Sequence, residues 1–129
     1  MIEYVVKVHD DGDKAWYLNG VLHREDGPAI EYTNGTKAWY LNGKLHREDG
    51  PACEYSNGDK YWYLNGKLHR VDGPACECTS GYKSWYLNGY KLTEEEFNKK
   101  TKKHTIVIDG ETIEISEESY QKMKNSLIS

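Results

Sequence analysis

Apolar and polar positions alternate along most of this chain in short runs, and glycine interrupts the runs every few residues. Lys37-Ala38-Trp39-Tyr40-Leu41 is one such run and Ala52-Cys53-Glu54-Tyr55 is another. Successive side chains of a strand point to opposite faces. Trp39 and Leu41 therefore share one face, and Ala38 and Tyr40 share the other. Both faces hold an aromatic ring, which suits a sheet covered on one side by stacked neighbours and lined on the other by aromatic stems with wet tips. The breaks are turn signals. Asn19-Gly20, Asn42-Gly43, Asn65-Gly66 and Asn88-Gly89 form one series; Asn34-Gly35, Asn57-Gly58 and the degenerate Ser80-Gly81 form a second. Asn-Gly between β-prone runs predicts a hairpin with a type I′ turn, because both central residues must take positive φ.

These signals recur with a fixed period. Trp16, Trp39, Trp62 and Trp85 are each 23 residues apart, and WYLNGKLHREDGPA at residues 39–52 returns nearly unchanged at 16–29 and 62–75. A period of this length marks a repeat array in which each unit buries its surface against its neighbours. Within a unit, Leu45-His46-Arg47-Glu48-Asp49-Gly50-Pro51-Ala52 lies between the turns. Pro51 lacks an N–H and belongs at a strand start or edge, and Gly50 permits the tight bend before it. Each unit thus reads as a β-hairpin with a kinked second strand, and successive hairpins pair edge to edge. The fold expected is mainly β: an elongated, single, twisted antiparallel sheet with a small C-terminal α+β cap of helix, hairpin and helix.

The 23-residue unit, with its W-x-x-N-G-K core and Gly-containing bend, resembles the MORN repeat and especially its MORN-like variants. The wording W-Y-x-N-G-K-x-H-R-x-D-G-P-A is similar to units of small proteins encoded by bacteriophages and giant viruses. The resemblance covers residues 13–92 and departs from the MORN pattern in the longer H-R-x-D-G-P bend. It implies an elongated β-sheet with a binding or scaffolding role and no catalysis. For a phage-encoded protein it implies a host protein as partner, with inhibition of host defence as the purpose and the host cytoplasm as the location.

The ends differ from the middle. Residues 1–12 read as a capping strand leading into Asp11-Gly12, which falls in the Asn-Gly phase of the array. The repeats follow at 13–35, 36–58 and 59–81, with a partial unit at 82–92. Residues 93–129 form the cap or appendage. Thr93 with Glu96 spells a capping box, so a short helix is expected over about 94–102. Residues 105–109 and 111–115 alternate about Asp109-Gly110 as a hairpin. Ser116, followed by Glu117 and Glu118, starts a second helix whose apolar stripe is Tyr120, Met123 and Leu127. This tail is expected to pack on the last repeat, or to serve as a small dimerisation or partner-binding appendage.

Composition narrows the function classes. The hydrophobic share is 37%, much of it supplied by 11 Tyr and 4 Trp, too little for a thick two-layer core. Residues 13–89 carry nine basic and ten acidic residues, an even balance that argues against an indiscriminate nucleic-acid or anionic-membrane binder. No apolar run of about 18 residues is present, and the N-terminus lacks the basic and apolar regions of a signal peptide. With three Cys, an odd count, this points to reduced thiols in a cytoplasm.

Three columns of the array invite a chemical reading: His23, His46 and His69; Arg24, Arg47 and Arg70; Asp26, Asp49 and Asp72. A site needed once has no reason to be written three times, so structural roles lead. Asp49 is expected to accept N–H bonds in the Gly-Pro bend, Arg47 to pair with an Asp of its own or the next unit, and His46 to pack on a tyrosine. The alternative is a ligand row gripping phosphates, which with stacked Tyr and Trp would make a nucleotide-binding sponge. Cys53, Cys76 and Cys78 supply too few ligands at too unfamiliar a spacing for zinc and read as apolar fillers. No catalytic motif stands outside the repeat, so no enzyme, cofactor or metal is expected. Three series vary between otherwise identical units: Ala15, Ala38, Tyr61 and Ser84; Glu25, Glu48 and Val71; Asp13, Thr36, Asp59 and Tyr82. They are expected to face solvent or a partner, with Tyr61, Val71 and Tyr82 as the candidate binding residues. A free terminal edge would also admit a homodimer.

Overall fold

The computed structural model describes residues 2–128. The chain divides into two compact units, Met1–Lys91 and Leu92–Ser129. No helix among the described residues is long and apolar enough to cross a membrane.

The first unit is the array. Its strands are β1 (Tyr4–Val8), β2 (Lys14–Leu18), β3 (Val21–Leu22), β4 (Ile30–Glu31), β5 (Lys37–Ala38), β6 (Tyr40–Leu41), β7 (Lys44–Leu45), β8 (Cys53–Glu54), β9 (Lys60–Tyr61), β10 (Tyr63–Leu64), β11 (Lys67–Leu68), β12 (Cys76–Glu77), β13 (Lys83–Leu87) and β14 (Tyr90–Leu92). A single antiparallel ladder runs β1-β2-β4-β5-β8-β9-β12-β13-β14. The order follows the chain because each strand folds back on the one before it. The pairs β2–β3, β6–β7 and β10–β11 are the tips of the same hairpins. Main-chain bonds tie each tip to the next unit: Arg24 N–H donates to Tyr40 O at 3.1 Å and Gly43 N–H to Leu22 O at 2.8 Å, with the same bonds one period on at Arg47–Tyr63 and Gly66–Leu45. The return strand of each hairpin carries the His-Arg-x-Asp-Gly-Pro bend as a large bulge, the expected kink.

The two turn series differ, although both are spelt Asn-Gly. In the first, both residues take positive φ (Asn42 52°, Gly43 78°), as a type I′ turn requires. In the second, only the glycine does: Gly35 has φ 95°, its N–H reaches Tyr32 O at 3.0 Å, and Tyr32 N–H reaches Thr36 O at 2.9 Å. This is a type I turn closed by a glycine bulge, so the type I′ expectation is corrected for Asn34-Gly35, Asn57-Gly58 and Ser80-Gly81. Asp11-Gly12 shares the bulged geometry, with Gly12 at φ 95°, which places the first strand as a half-unit in phase with the rest.

The core is thin. Its buried apolar members in this unit are small: Ala15, Ala29, Ala38, Ala52, Cys53, Ala75 and Cys76. Ala15, Ile30, Ala38, Cys53, Tyr61, Cys76 and Ser84 are consecutive cross-strand partners. They form one column down the middle of the sheet. Ala15, Ala38 and Ser84 lie at 8% exposure or less, so the expectation that this series faces solvent is overturned. The position is therefore enclosed and not free, although its residues vary.

The second unit contains α1 (Glu94–Thr101), β15 (Lys103–Ile108), β16 (Glu111–Ser116) and α2 (Glu117–Ile128). Thr93 and Glu96 form the capping box reciprocally: Thr93 N–H donates to Glu96 Oε1 and Glu96 N–H to Thr93 Oγ1, each at 3.1 Å. The strands pair about Asp109-Gly110, a type I′ turn with φ 50° and 83°. Helix α2 packs on this hairpin through Tyr120, whose ring stacks on His104 at 3.7 Å, while Glu117 hydrogen-bonds His104 Nε2. The apolar stripe expected on α2 is only partly used, for Met123 and Leu127 are exposed.

Candidate functional site

On one face of the array each bend closes around its own arginine. The Arg47 guanidinium lies over the Trp39 ring with Cζ 3.8 Å from its centroid. Its Nε donates to Asp49 Oδ1 at 2.9 Å, and its Nη1 donates to Pro51 O and Glu54 Oε1, both at 3.1 Å. Arg24 repeats the set with Trp16, Asp26, Pro28 and Glu31, and Arg70 with Trp62, Asp72, Pro74 and Glu77. The opposite side of each guanidinium abuts a glycine. A Cβ on Gly50 would stand 2.9 Å from Arg47 Cζ, and the same holds at 3.0 Å for Gly27 with Arg24 and Gly73 with Arg70. The bend glycine therefore exists to make room for a flat cation, not to reach positive φ. The tight bend expected at Gly50 is present over residues 48–50, and room for the guanidinium is the further reason for glycine there. Asp49 likewise holds Arg47 instead of the bend's N–H groups, which corrects its expected role.

The histidines join units. His23 Nδ1 accepts the N–H of Asn42, His46 Nδ1 that of Asn65, and His69 Nδ1 that of Asn88, each at 2.9 Å. Each Asn is the first residue of the next unit's type I′ turn. An acceptor at Nδ1 places the proton on Nε2, which faces Glu25 Oε1 at 3.4 Å from His23 and Glu48 Oε1 at 3.5 Å from His46. Val71 leaves His69 without that carboxylate. The tyrosine packing expected for His46 is replaced by this inter-unit clasp.

The bends bound open grooves on the tryptophan face. One of about 690 Å³ lies between the first two bends, with Trp39 and Leu41 as its apolar floor; the next, of about 470 Å³, has Trp62 and Leu64. Val71 lines the second groove.

The opposite face is rich in tyrosine. Strand alternation and the register put Tyr17, Tyr40, Tyr63 and Tyr86 on it, to one side of the central column, with Tyr32, Tyr55, Cys78 and Tyr82 on the other side towards the bulged turns and Tyr61 in the column itself. The Tyr55 and Tyr61 rings meet edge to face at 5.5 Å, and Tyr61 Oη lies 3.7 Å from Cys78 Sγ. That bond pushes the Tyr61 phenol up to about 12, and burial pushes the Cys53 thiol up to about 11. Tyr32, Tyr55 and Tyr82 are exposed, at 42%, 46% and 54%. Both ends of the face carry a lysine: Lys7 Nζ sits 4.9 Å over the Tyr17 ring, and Lys91 Nζ lies 3.4 Å from Tyr82 Oη.

The third variable series also has a structural task. Asp13 accepts the N–H of Thr33 at 2.8 Å, Thr36 that of Ser56 at 3.1 Å, and Asp59 that of Thr79 at 2.9 Å. This corrects the view that shape leaves the series free: it needs an acceptor wherever another bulged turn follows. Tyr82 stands after the last such turn and is released. Of the three candidate partner residues, Tyr61 and Tyr82 share the tyrosine face, whereas Val71 belongs to the tryptophan face. Sequence reasoning missed the row of exposed tyrosines at Tyr32 and Tyr55, whose signal was their shared phase two residues after Ile30 and Cys53. Among the described residues no group of three or more His, Cys, Asp or Glu is arranged to hold a metal. Comparison with protein-family models, curated proteins and solved structures gives no match.

Proposed function

We propose that this chain is a non-catalytic interaction protein that docks a partner protein on its tyrosine face. The observation that carries this reading is the row of half-exposed and exposed tyrosines on one side of a single-layer sheet. Tyrosine offers large contact area with little conformational freedom to lose, and it is enriched at binding hot spots. The polar columns of the other face are engaged with one another, so they support shape first. The resemblance of the repeat wording to units of phage and giant-virus proteins extends the proposal to a host protein as partner, with host defence as the target. A nucleotide sponge draws less support, because each guanidinium already faces an Asp and a Glu of its own unit.

The test is affinity capture from a host lysate, followed by titration of the recovered partner. Tyr55→Ser with Tyr82→Ser is expected to weaken that binding by about 2 kcal/mol or more. Glu48→Lys, on the opposite face, is expected to leave it unchanged. The reverse pattern would move the site to the grooves, and a thermal shift with free nucleotides would favour the sponge.

A further inference from the structure

The two terminal strands of the array treat their open edges differently. Strand β14 is short, three residues, and carries Lys91 and exposed Tyr90. Short charged edges of this kind resist pairing. Strand β1 has five residues, YVVKV, without proline. Its only charge, Lys7, is turned over the Tyr17 ring on the tyrosine face. Among the described residues no strand pairs with its outer side.

The register fixes which backbone groups point outwards. Glu3 O accepts from Asn19 N–H and His9 N–H donates to Asp13 O, so residues 3, 5, 7 and 9 bond to β2. Antiparallel bonding alternates along a strand. Tyr4, Val6 and Val8 therefore turn their N–H and C=O groups away from the sheet. Their side chains are apolar and exposed, at 62%, 49% and 63%.

We infer that β1 pairs antiparallel with β1 of a second copy, about a twofold axis at Val6. In that register Val6 faces its own counterpart and Tyr4 faces Val8 of the other copy. Every outward N–H and C=O of the three residues then has a partner on both strands. Glu3 stands opposite His9, and Val5 opposite Lys7, so no like charges meet. A slip of two residues in either direction leaves one outward residue unpaired, and one of the two slips sets Lys7 against Lys7. The axis is perpendicular to the sheet, so the tyrosine faces of both copies join into one continuous surface.

The experiment is light scattering of the full chain during size-exclusion chromatography, over a dilution series reaching the millimolar range. The wild type is expected to approach twice 14.9 kDa as concentration rises. Val6→Pro removes an outward N–H that the monomer does not use, and it is expected to stay monomeric. Val6→Lys, which places two ammonium groups at the axis, serves as a second block should proline disturb β1. Circular dichroism melting checks that each variant keeps its fold. A wild type that remains monomeric throughout, or a dimer that survives both substitutions, overturns the inference.

Discussion

Cys53 illustrates how much a single side chain reports here. It lies buried in the central column between Ala38 and Tyr61. Burial in apolar surroundings disfavours the thiolate and pushes the thiol from 9.0 up to about 11. A folded-state pKa above the unfolded value gives stability that is fully present below the unfolded value and is lost as pH rises through the folded one. The wild type is therefore expected to lose stability between about pH 9 and pH 11 relative to Cys53→Val, read from denaturant unfolding at several pH values. Parallel curves for the two proteins across that window would show the thiol to be solvated. Gly50 reports on a neighbour in the same way, since the space of its missing side chain is filled by Arg47.

At the scale of elements, hairpins were readable from Asn-Gly and strand alternation because both depend on nearest neighbours. The two turn geometries were not readable. Asn42-Gly43 and Asn34-Gly35 are the same dipeptide, and they differ in the partners the folded chain brings to them, which the dipeptide does not encode. Asn42 at φ 52° donates its N–H to His23 of the unit before. Asn57, outside positive φ, instead uses its side chain to accept Asp59 N–H at 2.9 Å. Asn42→Ala is thus expected to cost about 1–2 kcal/mol, since alanine tolerates left-handed backbone poorly; urea unfolding measures it, and a neutral result would contradict the turn assignment. The Arg–Trp–Gly sandwich was also hidden. Arg47 is eight residues from Trp39 and three from Gly50, and only the closed bend brings them together. The trace it left in the sequence is that all three recur in phase at 16, 24 and 27. The variable series misled for a related reason: Ala15, Ala38 and Ser84 stand in a buried column that is invisible before the cross-strand register is known.

For the whole molecule, the division of labour between faces matters most. The tryptophan face keeps its repeated residues occupied with one another: arginine with tryptophan and two carboxylates, histidine with the next unit's turn. Such an array is held together by nearest-neighbour terms, and weakening one unit weakens its junctions. The tyrosine face engages few of its polar groups internally, and it is the face proposed above for contact with a partner. The most direct check is the urea-unfolding free energy of Arg47→Lys. Lysine keeps the charge but has neither the planar stack on Trp39 nor the fork that reaches Asp49, Pro51 and Glu54 together. A loss of roughly 1–3 kcal/mol is expected, with binding through the tyrosine face retained in the folded variant. An unchanged unfolding free energy, with binding lost, would contradict the structural role and make the arginine column the binding site.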